Sequence, residues 1–356
     1  MACLCVELYG GVVRTSEIMQ PERIPQFMTP ALPKLSGLMA FYAVDLSISE
    51  ALLRLFRDYT EQFVVLLDRE QSLALFNASA DLLKSYSSLH CTKRVVSQPT
   101  ASSMAAAAEE EQKYSDVLCA IQLLIHLGTK DFIDTCTSTK DGIESGQVTD
   151  VIFYGLQQII PLMSQGLLHY PSLCTQYFSL VGFMMDTYPD KVCALPYDLF
   201  DALLESLLFG MSNVDTSIGK SSLYGIAGIV KEHIKSKSLS QHLSTHPDML
   251  DRCSARLLQE VVFQSVVWDR LEPTGMVLLP LAAADINRFA SVVSGIAAKV
   301  PSEQSQRLQS AFGALMRPEM ITKISSGGYD GRMNRLRFKK DFELFVKEVH
   351  SFLLLK

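Results

Sequence analysis

The residues with the best claim to chemistry form a short set, and each pattern lacks part of what its chemistry needs. Gly219-Lys220-Ser221-Ser222 ends like a phosphate-binding loop, in which backbone amides and a lysine cradle phosphate oxygens. The preceding segment MSNVDTSIG lacks the motif's first glycine and follows no strand, so chance is the better account. His242 and His246 are one helical turn apart and, with Asp248 or Cys253, could be drawn as zinc ligands. Pro247 follows at once and the neighbours are Ser and Thr, which predicts an exposed polar loop instead. The paired acids Asp198 with Asp201 and Glu343 with Glu348 fall on sides of helices expected to face solvent. No GxSxG elbow, HExxH pair or Cys/His nucleophile signature is present. The expectation is a non-enzymatic chain without catalytic, cofactor-binding or metal residues.

Binding is the other chemistry to consider. Arg332 to Lys340 (RMNRLRFKK) is the largest positive cluster, which suits an acidic partner or a nuclear-localisation-like signal. Its plainer reading is the polar start of an amphipathic terminal helix whose apolar side carries Leu336, Phe338, Phe342, Phe345 and Val349. Trp268, the only tryptophan, and the run Tyr177 to Tyr188 (YFSLVGFMMDTY) could form binding hot spots. At helical spacing they are expected in the core.

The elements carrying these residues are helices. Apolar residues recur at i, i+3, i+4 and i+7 over four to six turns, then a short polar or Pro/Gly break follows. Ser49 to Leu67 is a clear case, with Ser49 a candidate cap, and Gln71 to Tyr86 repeats it, so the two should form an antiparallel hairpin. Further helices are expected over Glu109–Leu127, Thr149–Met163, Pro171–Tyr188, Pro196–Met211, Ser217–Lys235, Asp248–Leu271, Asp285–Lys299, Ser302–Met316 and Asn334–Leu355. Prolines fall between stripes or in first turns, Pro273 among them, and Pro161 should stop or kink its helix. Pro21, Pro25, Pro30 and Pro33 predict broken helix over 21–33. Gly225 and Gly228 predict a close helix contact.

Strict two-residue alternation is missing, so the fold class is all-α. Helix pairs spaced at about 40 residues match a HEAT/armadillo-like period and predict an α-solenoid of antiparallel pairs. The expected organisation is helix pairs over 1–87, an exposed linker over 88–108, and helix pairs over 109–356 ending in the terminal helix. Composition agrees with a packed core: of 356 residues, 48% are hydrophobic and 20% charged. With 32 basic against 38 acidic residues, the net charge of −6 excludes a strongly basic nucleic-acid binder. Eight scattered cysteines without a CxxC pair read as reduced thiols, and no secretory signal or membrane span is evident.

The run from Phe153 to Phe200, FYGLQQIIPLMSQGLLHYPSLCTQYFSLVGFMMDTYPDKVCALPYDLF, resembles the C-terminal region of the exportins, nuclear transport receptors of the importin-β (karyopherin) superfamily. ELYGGVVRT from Glu7, GLMAFY from Gly37, EEEQKYSDV from Glu109, SQRLQSAFGALM from Ser305 and the terminal RLRFKKDFELFVKEVHSFLLLK continue the resemblance in the same order. It implies a HEAT-repeat superhelix that carries protein cargo across the nuclear pore under control of Ran-GTP, meets nucleoporins and shuttles between nucleus and cytoplasm. Membrane and nucleic acid are not among the implied partners. The branch it resembles is associated with cargo that includes hypusine-bearing translation initiation factor 5A, Smad-type signalling proteins and Sox-type factors. In this family the principal Ran-binding repeats lie N-terminally, and the chain looks like the last third of a receptor. The resemblance places no cargo- or Ran-binding residue by number. Carboxylates on the inner face are the expected contacts for a hypusine cation.

Overall fold

The computed structural model describes residues 2–15, 23–42, 45–91, 111–137, 145–160, 163, 166–264, 268–322 and 328–354. Among them the secondary structure is helical throughout and no strand occurs. Two compact units make up the chain, Met1–Leu180 and Val181–Lys356. Most of the segment expected as a linker, 92–108, lies outside the described residues, as do 138–144.

The first unit contains α1 (Ala2–Arg14), α2 (Arg23–Met28), α3 (Leu32–Phe41), α4 (Leu46–Phe63), α5 (Arg69–Tyr86), α6 (Ser115–Thr137), α7 (Ser145–Ile159) and the start of α8 (Pro171–Thr187). They pack in pairs: α1 on α4, α4 on α6, α3 on α5, and α6 and α5 on α7. Over its described part, 23–33, the proline-rich entry breaks as expected, and Pro21 lies outside the described residues. Pro25 lies in α2, Pro30 in a single 3-10 turn, and Pro33 at the second residue of α3, where a missing N–H costs little. Asp45 caps α4 by accepting from the Ser47 amide, whereas Ser49, the expected cap, is buried inside the helix. The reason is register: the helix starts three residues earlier than its apolar stripe suggests. Asp68 and Gln71 close a reciprocal capping box on α5. Asp58, nearly inaccessible, accepts from Arg14 of α1 at 3.2 Å and pairs with its neighbour Arg57 at 2.5 Å. Arg57 in turn donates to Gln122 of α6 at 3.1 Å, so one buried carboxylate ties three helices. On α1, Val6 and Val13 are buried while Leu4, Leu8 and Val12 point outward.

The second unit holds the rest of α8, α9 (Pro189–Cys193), α10 (Tyr197–Met211), α11 (Thr216–Ser236), α12 (Ser240–Thr245), α13 (Met249–Phe263), α14 (Trp268–Ala284), α15 (Ile286–Ala297), α16 (Ser302–Leu315), α17 (Pro318–Thr322) and α18 (Gly328–Leu353). Helix α10 packs on α11 and α11 on α14, α13 packs on α15, and α18 packs on α13, α14 and α16. Short connections between touching neighbours give the helix-pair stacking of an α-solenoid. The helix expected over 248–271 is two helices. Gln264 turns extended and α14 starts afresh at Trp268, which puts Pro273 and Pro280 inside a helix rather than between helices. Each proline removes one hydrogen bond to the carbonyl four residues back. Helix α14 tolerates this because most of its surface is buried against neighbours, with Leu271, Val277, Leu278, Leu279 and Leu281 in the core. No single described helix is long and apolar enough to cross a membrane; α14 and α15 together pass by length and composition but are bent by 119°.

Candidate functional site

Of the sequence motifs, the Gly-Lys-Ser stretch is plain helix. It lies in the first turns of α11, capped by Asp215, which accepts from the Ser217 amide at 2.8 Å. Gly219 leaves room for the Arg270 side chain, since a Cβ there would fall 2.8 Å from the guanidinium carbon. His242 is buried rather than in an exposed loop. It stacks on Phe200 and contacts the Cys193 carbonyl at 3.0 Å through Nε2, while His246 stacks on Tyr197 at 3.6 Å between ring centroids. Among the described residues no group of three or more His, Cys, Asp or Glu is placed to hold a metal ion. Burial pushes the Cys253 thiol up to about 12 and the Cys193 thiol to about 11, which suits packing and disfavours nucleophilic thiolate. Asp201 is committed to Arg252 at 2.5 Å, and Asp198 is exposed. Tyr177, Phe178, Met184 and Met185 are core as expected. Trp268 is not: it is 69% exposed, with the Lys347 ammonium 5.8 Å from its ring centre. At the first residue of α14 its side chain precedes the helix's buried stretch.

The basic cluster is where charge and an apolar surface coincide. Helix α18 buries Phe338, Phe342, Phe345 and Val349 against its neighbours, as the amphipathic reading required. Leu336, assigned to the same side, is instead 48% exposed and lines a cleft. Asn334 fixes the start of α18 by donating to the Met320 carbonyl at 2.9 Å. Gly275 lets α18 approach α14, because a Cβ there would already touch the Phe342 ring at 3.2 Å.

The cleft has a volume of about 270 Å³ and runs between α11, α14 and α18. Leu271, Met276, Leu279 and Pro280 of α14 face Leu336, Phe338 and Phe342 of α18 across it. Its rim is cationic. Arg332, Arg335 and Lys339 lie at i, i+3 and i+7, on one face of α18, and Lys231 of α11 joins them. Only Lys339 is neutralised, by Glu272 at 2.6 Å, a bond that raises its pKa. Among the described residues no carboxylate lies within ion-pair distance of Lys231, Arg332 or Arg335. Partial loss of water, and then the Arg335 guanidinium, lower the pKa of Lys231, with distant Asp186 opposing. Sequence periodicity could find the basic run but not the α14 wall, which comes from residues more than fifty positions away.

No protein-family model matches the chain. Exportin-7-A and exportin-7-B of Xenopus laevis are each 23% identical to it over 206 residues, which is 52% of this chain and 18% of each relative. The chain thus aligns with less than a fifth of the length of the curated relatives it matches.

Proposed function

We propose that this chain is a non-enzymatic segment of a nuclear export receptor, nearest in kind to exportin-4, that binds protein cargo. The observation carrying the reading is the similarity to the two exportin-7 proteins over more than two hundred residues. Helices stacked in pairs support the reading, since a HEAT-repeat receptor is built from such pairs. Ran-GTP, nucleoporins and shuttling between nucleus and cytoplasm belong to the same proposal, as do hypusine-bearing translation initiation factor 5A and Smad-type cargo. The cleft on α18 repels a hypusine cation, so cargo of that kind engages another face. A second reading is a helical scaffold without transport activity, which helices stacked in pairs would serve equally well.

A pull-down with and without Ran locked in its GTP form separates the two. Cargo capture that changes with Ran-GTP supports a receptor. A chain that captures no cargo either with or without Ran-GTP overturns the transport reading in favour of the scaffold.

A further inference from the structure

We infer that the cleft between α11, α14 and α18 seats an acidic amphipathic helix from a partner protein. The charge is there before the partner arrives. Three cations on its rim, Lys231, Arg332 and Arg335, have no carboxylate partner among the described residues, and Lys231 and Arg335 stand close enough to oppose one another's charge. An anion relieves that repulsion at little desolvation cost, because the heads are already at the edge of water. Between them lies an apolar floor of Met276, Leu279, Leu336 and Phe342. Such a floor has no use for a free inorganic anion but matches the apolar stripe of a helix.

The layout of the charges selects the occupant. From Arg332 through Arg335 to Lys339 is seven residue steps along α18, about 10 Å at 1.5 Å per residue. Carboxylates on successive turns of a helix lying alongside α18 have that spacing, whereas a single lipid headgroup presents its charge at one point. Glu272 and Glu343 beside Lys339 make that end less cationic, so the acidic residues of the partner face Arg332 and Arg335. The inference does not depend on the transport reading, and it stands or falls by direct binding.

The test uses the full chain and a fluorescein-labelled helical peptide of about fifteen residues, with leucines at i, i+4, i+7 and i+11 and glutamates on both flanks. Fluorescence anisotropy should give saturable binding that weakens as salt rises. Arg332→Glu with Arg335→Glu should reduce affinity at least about tenfold, and Leu336→Ser, at an exposed position, several-fold. Lys299→Glu, on exposed surface outside the cleft, should leave affinity unchanged. Circular dichroism checks that each variant keeps its helical content; because all four positions are exposed, loss of folding is not expected. A scrambled peptide of the same composition that binds equally well overturns the inference, as does binding insensitive to the double charge reversal. Binding to anionic vesicles in place of the peptide overturns it in favour of a membrane surface.

Discussion

Gly228 of α11 lies against the backbone of Met185 so closely that a Cβ at position 228 would stand 2.7 Å from the Met185 carbonyl oxygen. Backbone cannot swing aside as a side-chain tip can. Gly228→Ala gains up to about 1 kcal/mol of helix propensity but forces α11 and α8 apart, at a cost of about 1–3 kcal/mol. The clash wins, and chemical denaturation should show a net loss. Gly37→Ala in α3, where nothing lies within 4 Å of the new methyl, should instead stabilise by about 0.5–1 kcal/mol. Equal effects at the two positions would contradict this account of the α8–α11 contact.

Arg270 predicts a loss that lysine cannot repair. Its guanidinium donates to the Met211 carbonyl at 3.0 Å and to the Asn213 carbonyl, closing the C-terminal end of α10 and the turn into α11. Arg270→Ala should cost about 1.5–3 kcal/mol, the range for hydrogen bonds to a charged group. Arg270→Lys should recover little of it, since an ammonium cannot reach both carbonyls with a planar fork. Gly219→Ala, which crowds the guanidinium, should destabilise in the same direction.

His233 gives stability a pH dependence. Burial lowers its pKa below the ordinary value near 6.5, with Lys237 adding to the effect, and its Nδ1 accepts from the Leu239 amide at 3.2 Å. The unfolded chain therefore takes up this proton more readily than the folded one. The contribution is intact above about pH 6.5 and is lost as pH falls from there through the lower folded value. Thermal melts between pH 5 and pH 8 should show this decline, and His233→Asn, which keeps an acceptor but does not titrate, should flatten it. His126, also lowered chiefly by burial, leaves a residual slope.

Leu4, Leu8 and Val12 form an outward stripe on α1, with Leu4 65% and Leu8 64% exposed. Apolar residues aligned on one exposed helix face favour association. Light scattering should report a mass that rises with concentration, and Leu4→Lys with Leu8→Lys should return the chain to a monomer without lowering its melting temperature. A concentration-independent monomer in the parent chain would show that the stripe is inert.

The helices themselves were legible because burial on one side imposes a 3.6-residue period on the chain, and most stripes from Gln71 onward became helices within four residues of both expected ends. The exceptions are the stripe expected over Glu109–Leu127, which runs from Ser115 to Thr137, the one over Asp248–Leu271, which breaks in two, and the terminal one, which starts six residues early at Gly328. Local chemistry was less legible. Asp45 outcompetes Ser49 as a cap only because the helix begins earlier than its stripe, and the break at Gln264 carries no Gly or Pro to announce it.

The basic run on α18 was visible in the sequence, since charge density is a local property. What it faces was not. Whether Leu336 is core or rim, whether Trp268 is covered, and whether Arg335 finds a carboxylate or another cation depend on which helix packs alongside. Those neighbours, Leu271 to Pro280 and Lys231, come from distant parts of the chain. Sequence alone determined an all-α protein of stacked helices with one cationic stretch; tertiary packing decided that this stretch borders an apolar cleft, because contacts between remote segments carry no period along the chain.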